Sequence, residues 1–153
     1  MIHYLHKTFK DNRGSFTSMP TSLLDVEWTQ CSVSVNTERF TFRGMHYQTN
    51  PVQLKYVKVV KGSIVDIALN LEDDSVKHMV LTEDDAVLIS NNCAHGFLTL
   101  EPNTIVTYLI EGQYNPDSEH SIVWSSNEQV KDIVNSYVRN EELIISEKDA
   151  KGK

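Results

Sequence analysis

The sequence predicts an all-β protein, a sandwich, jelly roll or barrel, with one short helix near its C-terminus. Three observations lead there. Short segments rich in Val, Ile, Thr and Tyr, separated by turn residues, fill the first three quarters of the chain. One of them, "SIVDIALNL", alternates with a period of two: Val65, Ile67, Leu69 and Leu71 share a face opposite Asp66, Ala68 and Asn70. That pattern indicates a half-buried strand. One segment breaks the β pattern: in "SSNEQVKDIVNSYV", Val130, Ile133, Val134, Tyr137 and Val138 recur at helical spacing.

Along the chain, the strand-like segments are "QCSVSV", "KYVKVV", "SIVDIALNL", "AVLIS" and "TIVTYLI". The stretch around Phe40 and Phe42 is a further β-like segment, and it runs into "RGMHYQ". Gly62, in "VVKGSI", marks a tight turn that needs a positive φ. "NLEDDS", "LTEDD" and "LEPNT" read as turns. Ser126 and Gln129 have the spacing of a capping box at the start of the helix. A short apolar strand, "LIIS", and a charged tail, "EKDAKGK", follow it.

Composition narrows the function classes. A chain of 153 residues can bury a core without staples and reads as a single domain, 1–153. Its 40% hydrophobic and 23% charged content is that of a globular protein in water. No apolar run approaches the roughly 20 residues of a membrane span, and the N-terminal stretch lacks a signal-peptide pattern, so the expectation is a cytoplasmic protein with no membrane partner. A formal charge of −7 argues against nucleic acid as a partner. It leaves room for an anionic small molecule in a locally basic pocket. Cys31 and Cys93 form no C-x-x-C pair and read as reduced core residues.

Several residues stand out chemically. Lys55 shares side-chain parity with Val57 and Val59; it either snorkels to solvent from a strand end or presents an ammonium on an inner wall. His46 and His95 sit in "RGMHYQ" and "NNCAHGF", where a histidine is structural or catalytic. Metal binding in small β-barrels often starts from two histidines two positions apart. Here the positions flanking His46 at that distance are Gly44 and Gln48, so no metal is expected. Tyr108 and Tyr114 flank "LIEGQ"; strand tyrosines normally pack, but a hydroxyl in a polar cavity can deliver a proton. Asp149, in the charged tail, reads in isolation as solvated.

Taken together, "FKDNRGSF", "FRGMHYQ", "QLKYVKVVKGSIVDIALNL", "CAHGFLTL", "TYLIEGQYNPDSE" and "SEKD" occur in an order that resembles the dTDP-4-dehydrorhamnose 3,5-epimerase family, from about Phe9 to Asp149. The resemblance implies a cupin double-stranded β-helix, a jelly roll, assembled as a homodimer that shares strands. It implies an isomerase acting on a nucleotide-sugar substrate, dTDP-linked, and needing no cofactor. Residue by residue, it implies that His46 is the base that removes a proton beside the C4 ketone and that Asp149 orients it. Lys55 then stabilises the enolate oxygen, and Tyr108 returns a proton to the opposite face. Arg13, Arg43, His95, Glu119 and Lys148 fall at positions that contact substrate. The chemistry is consistent: a ketone acidifies its neighbouring C–H bonds, and inversion needs one group on each face.

The chain also departs from the family pattern. Ser18 stands near an expected acid, and Asn36 loosely replaces an amide pair ahead of the second R-G. The loop around "DSVKHMVLTEDD" is shorter, "WSSN" replaces the usual segment, and a helix stands in place of a tryptophan-proline stretch. These changes bear on the substrate and on whether C3, C5 or both are inverted. Two other readings remain: a cupin 3,4-ketoisomerase, which Gln48 in place of a second histidine disfavours, and a non-catalytic nucleotide-sugar-binding module.

Overall fold

The computed structural model describes residues 1–152. In chain order the strands are β1 (Ile2–Leu5), β2 (Thr8–Asp11), β3 (Gly14–Thr17), β4 (Gln30–Asn36), β5 (Thr41–Gln48), β6 (Leu54–Lys61), β7 (Ile64–Asn70), β8 (Val76–Leu81), β9 (Asp85–Ile89), β10 (Cys93–Thr99), β11 (Thr104–Glu111), β12 (Glu119–Ser121) and β13 (Ile144–Ile145). The described residues also form two α-helices, α1 (Glu128–Val138) and α2 (Glu147–Lys151). One sheet has the order β1-β9-β6-β11-β4; the other runs β12-β5-β10-β7-β8, with β13 added parallel to β5. β2 and β3 form a separate hairpin. This is the jelly roll that the family resemblance implies, where strand patterning alone left sandwich, jelly roll and barrel open.

The alternation of each strand sets two cores. Between the sheets, Val57, Val59, Ile64, Ala68, Val87, Ile89, Phe97 and Val106 meet as one apolar cluster. On the outer face of the larger sheet, Phe42, Val65, Ile67, Leu69, Ala94 and Leu98 pack under Val130, Val134 and Val138 of α1. Each fully buried side chain of this size contributes about 1.5–3 kcal/mol. β7 therefore differs from the half-buried strand that its alternation suggests. Val65, Ile67 and Leu69 lie under the helix, while Asp66 and Ala68, on the polar face, point between the sheets and are buried too. The second covered face comes from α1, whose docking site a single strand's pattern does not reveal.

Four further expectations are corrected. Cys31 is exposed, because it shares the outward parity of Val33 and Val35 on β4, and Cys93 is only part-buried, so they are not both core residues. The cap of α1 is Asn127, one residue later than the Ser126 capping box: its side chain accepts from the backbone N–H groups of Gln129 and Val130 at 3.0 and 3.1 Å. Ser126 instead donates its hydroxyl to the Val123 carbonyl at 2.7 Å. The segment read as a shortened loop contains β8, a full edge strand paired with β7. The charged tail folds as α2, whose first turn is capped by the Ser146 hydroxyl accepting from the Asp149 N–H at 3.1 Å. Gly62, with φ of 84°, turns the chain from β6 in one sheet to β7 in the other, as its position predicts.

The outer face of β6 is covered by the N-terminal strand and the residues after the hairpin. Tyr56 meets Tyr4 edge-on, with ring centroids 5.5 Å apart, and Trp28 at 6.2 Å. Its hydroxyl and His6 Nε2 share a hydrogen bond. Burial and the nearby Lys58 charge push the His6 pKa down, and burial pushes the Tyr56 hydroxyl up to about 12, so both groups are neutral near pH 7. This aromatic layer fixes β6 and so aims its inner-facing residues.

Candidate active site

The site forms where β5 and β10 come into close contact at Gly44 and Gly96, and glycine makes the approach possible. A Cβ on Gly44 would stand 2.5 Å from Gly96 Cα and 2.8 Å from the His95 carbonyl oxygen. One on Gly96 would stand 2.7 Å from Met45 Sδ. Gly44 also has φ of 132°, a conformation L side chains rarely adopt. The glycines of "RGMH" and "AHGF" thus let two backbones touch. With that contact in place, His46 and His95 become register partners across the two strands.

Each histidine carries its own carboxylate. His46 Nε2 lies 2.7 Å from Asp149 Oδ1, and Asp149 Oδ2 accepts the Gly44 N–H at 3.1 Å. An ionised carboxylate only accepts, so Nε2 carries the hydrogen, and in the neutral imidazole the lone pair is on Nδ1. Burial works to raise the Asp149 pKa. The hydrogen bonds from His46 and Gly44, with the charges of His46 and Lys148, outweigh it and hold the carboxyl below its usual range. His95 Nε2 lies 2.7 Å from Asp66 Oδ2, and both of these side chains are buried. Sequence reasoning missed Asp66. Its signal was present, an acid on the same strand face as Ala68, but that face reads as solvent-directed.

A cavity of about 310 Å³ opens beside these pairs, lined by Arg43, His46, Lys55, His95, Tyr108 and Asp149 among others. Lys55 follows the parity of Val57 and Val59 into it, so the inner-wall alternative holds for this residue. Burial lowers the Lys55 pKa to about 8, against the pull of Glu119 and Asp66. Burial raises the Tyr108 hydroxyl well above its ordinary value, against a hydrogen bond from Ser34 and the charge of Arg43. Among the described residues no cluster of three or more His, Cys, Asp or Glu could hold a metal ion.

The remaining candidate residues lie outside the cavity wall. Glu119 pairs across from Gln48 on β12, and its Oε2 accepts from Lys148 Nζ at 2.9 Å. Arg13 stands at the tip of the β2–β3 hairpin, ion-paired with Asp11, its side chain 85% exposed. Within one chain it does not line the cavity. Gln48 is structural: it donates to the Pro51 and Gln113 carbonyls at 2.6 and 2.9 Å and accepts the Asn115 N–H at 2.8 Å. Tyr114 is half exposed, its hydroxyl 3.4 Å from Glu119 Oε2.

What this arrangement can do follows from its parts. It offers a base whose tautomer is fixed, a cation with lowered pKa, and a protonated phenol around one space. Those are the needs of proton removal beside a carbonyl, stabilisation of the resulting oxyanion, and proton return.

Comparison with known proteins agrees. The family profile described as dTDP-4-dehydrorhamnose 3,5-epimerase matches residues 1–153. A dTDP-4-dehydrorhamnose 3,5-epimerase of Mycobacterium tuberculosis is 38% identical over 107 residues, covering 65% of this chain and 52% of that protein. The match thus spans about half the length of that relative. The crystal structure of a Bacillus anthracis dTDP-4-dehydrorhamnose 3,5-epimerase with TDP and PPi bound superposes with a TM-score of 0.79 at 28% identity, covering 97% of this chain and 90% of that one. A Legionella pneumophila dTDP-6-deoxy-D-glucose-3,5-epimerase, in complex with dTDP-4-keto-L-rhamnose, gives 0.83 at 25% identity and covers 99% and 85%. The chain belongs to the dTDP-4-dehydrorhamnose 3,5-epimerase family.

Proposed function

We propose that the protein epimerises a dTDP-linked 4-keto-6-deoxyhexose at C3, C5 or both. The observation that carries this reading is the His46–Asp149 pair, 2.7 Å apart, opening on the same cavity as Lys55 and Tyr108. In the proposed reaction His46 Nδ1 takes the proton from a carbon next to the C4 ketone. The electron pair of that C–H bond moves to the ketone oxygen as an enolate, which the Lys55 ammonium stabilises. The Tyr108 O–H then gives its proton to the opposite face, and solvent later restores both groups. Asp149 holds the imidazole in place and offsets its charge after proton transfer, the logic of a His–Asp couple in other enzymes. Arg43, at the cavity mouth, meets the diphosphate; His95, Glu119 and Lys148 serve the sugar and nucleotide.

Arg13 joins the site in this reading through a second copy of the chain. β4 is an unpaired sheet edge, Val33 and Val35 on it are more than 60% exposed, and the hairpin exposes Phe9 and Phe16. Such an edge invites a partner strand. A homodimer would cover these residues and carry Arg13 to the neighbouring cavity. Sedimentation at a monomer's mass would remove this element. A nucleotide-sugar substrate and two unpaired thiols suit the cytoplasm.

The test is direct. Incubation with dTDP-4-keto-6-deoxyglucose in deuterated water, followed by NMR, should show deuterium entering at C3, C5 or both. Absence of label at both carbons sinks the reading. The Lys55 pKa adds a second expectation. The ammonium is needed protonated, so kcat/KM should fall as pH rises through about 8. Above that value the fall should be roughly tenfold per pH unit. Lys55→Arg should move this limb upward, whatever activity remains; a flat profile to pH 9.5 would remove Lys55 from the mechanism.

A further inference from the structure

One hydrogen-bonded chain runs along the cavity wall from Arg43 to Tyr108. Ser34 and Asn36 are alternate residues of β4 and face inward, between the sheets. Arg43 Nε donates to Asn36 Oδ1 at 2.7 Å. Because a guanidinium only donates, the Asn36 oxygen must face Arg43, and its NH2 group must face the other way. That group donates to the Thr104 carbonyl at 3.0 Å and to Ser34 Oγ at 3.3 Å. Asn36 is buried, 2% exposed, so it holds one orientation. Ser34 Oγ lies 3.0 Å from the Tyr108 hydroxyl oxygen.

Ser34 Oγ accepts from Asn36 and keeps one O–H to donate, and the Tyr108 hydroxyl oxygen stands within reach of it. With Ser34 as the donor, every polar group of the chain is used and the Tyr108 proton is turned away from β4, into the cavity. The same bond stays in place when Tyr108 becomes a phenolate, and then it strengthens, because a hydrogen bond to a charged acceptor is about twice as strong as a neutral one.

We infer that Ser34, held by Asn36 and Arg43, is a positioning residue that aims the Tyr108 proton at the substrate carbon and favours its delivery over its retention. This rests on the epimerase reading above. The chain starts at the cation at the cavity mouth and ends at the acid in its wall. The group that meets the anionic part of the substrate is thereby mechanically tied to the group that completes inversion. Misplacement of a reacting group by about an ångström can cost on the order of 10²-fold, so one hydroxyl suffices to matter.

The consequence is a change in partition. After His46 has taken a proton, the enolate either regains one from His46 on the same face or takes one from Tyr108 on the other. In deuterated water the first outcome puts label into unchanged substrate, and the second puts label into the epimer. Ser34→Ala should leave total label uptake within about threefold of the wild type while lowering epimer formation by roughly tenfold or more. Ser34→Thr, which keeps a hydroxyl at Cβ, should restore the wild-type ratio. The experiment is NMR of dTDP-4-keto-6-deoxyglucose and its products, with all three proteins side by side. If Ser34→Ala lowers uptake and inversion in equal proportion, or changes neither, the inference is overturned and the epimerase reading stands. If the wild type takes up no label, the epimerase reading fails and takes this inference with it.

Discussion

His46→Asn should stop deuterium uptake from solvent into dTDP-4-keto-6-deoxyglucose, with a fall of roughly 10²–10⁴-fold. Asparagine at this position keeps a polar group near Asp149 but has no site that takes a proton at neutral pH. The fold should survive, since His46 is only part-buried and contributes nothing to either apolar core. Uptake measured by NMR and a thermal melt on the same sample separate the two effects. An unchanged melting temperature with uptake lost is the expected pair of results. Uptake that persists would assign the base elsewhere, and His95, with its own carboxylate, would be next to test.

Gly44→Ala is expected to be strongly destabilising. Two costs combine. A φ of 132° is unfavourable for alanine by about 1–3 kcal/mol. The new Cβ would also meet backbone at 2.5 and 2.8 Å, and neither neighbour is a flexible side chain. Overpacking of this kind costs about 1–3 kcal/mol, so the sum is on the order of 3 kcal/mol or more. For a chain of this size, that lowers the melting temperature by about 10 °C. Gly14→Ala is the matched control. Gly14 shares a similar φ of 127°, yet a Cβ there would meet nothing within 4 Å. The difference between the two melts measures the steric part alone. Equal melts would mean that the strands β5 and β10 separate easily, and that the two histidines are not held by backbone contact.

How much of this was legible in the sequence depends on which interaction placed each residue. Lys55 could be followed into the interior because its parity with Val57 and Val59 is a property of one strand. Choosing between solvent and cavity required knowing what lay opposite. Asp66 was misread for the same reason in reverse. Its strand alternates as a surface strand does, but α1 covers the other face, so the polar face became the inner one. Asp149 shows the limit more sharply. Nothing in "EKDAKGK" distinguishes it from a solvated charge until Ser146 caps a short helix that turns its carboxylate toward Gly44 and His46. Only the resemblance to a family singled it out. α1 itself was readable from its 3.6-residue period, whereas its cap was misplaced by one residue because Ser126 and Asn127 are both good caps. Ser34 carried no signal, since a serine two residues before an asparagine in a strand has no pattern of its own.

The pairs that make the site join residues far apart along the chain. His46 and Asp149 are separated by 103 positions, Ser34 and Tyr108 by 74, and Asp66 and His95 by 29. Such topologies fold slowly, because loop closure must precede the contacts that reward it. No fragment consisting of one hairpin or one helix contains a complete acid–base pair. A nascent or partly unfolded chain can thus carry secondary structure and still have no reactivity toward a keto sugar. The proposed activity needs all of these distant contacts at once, so it would report on completed folding rather than on compactness.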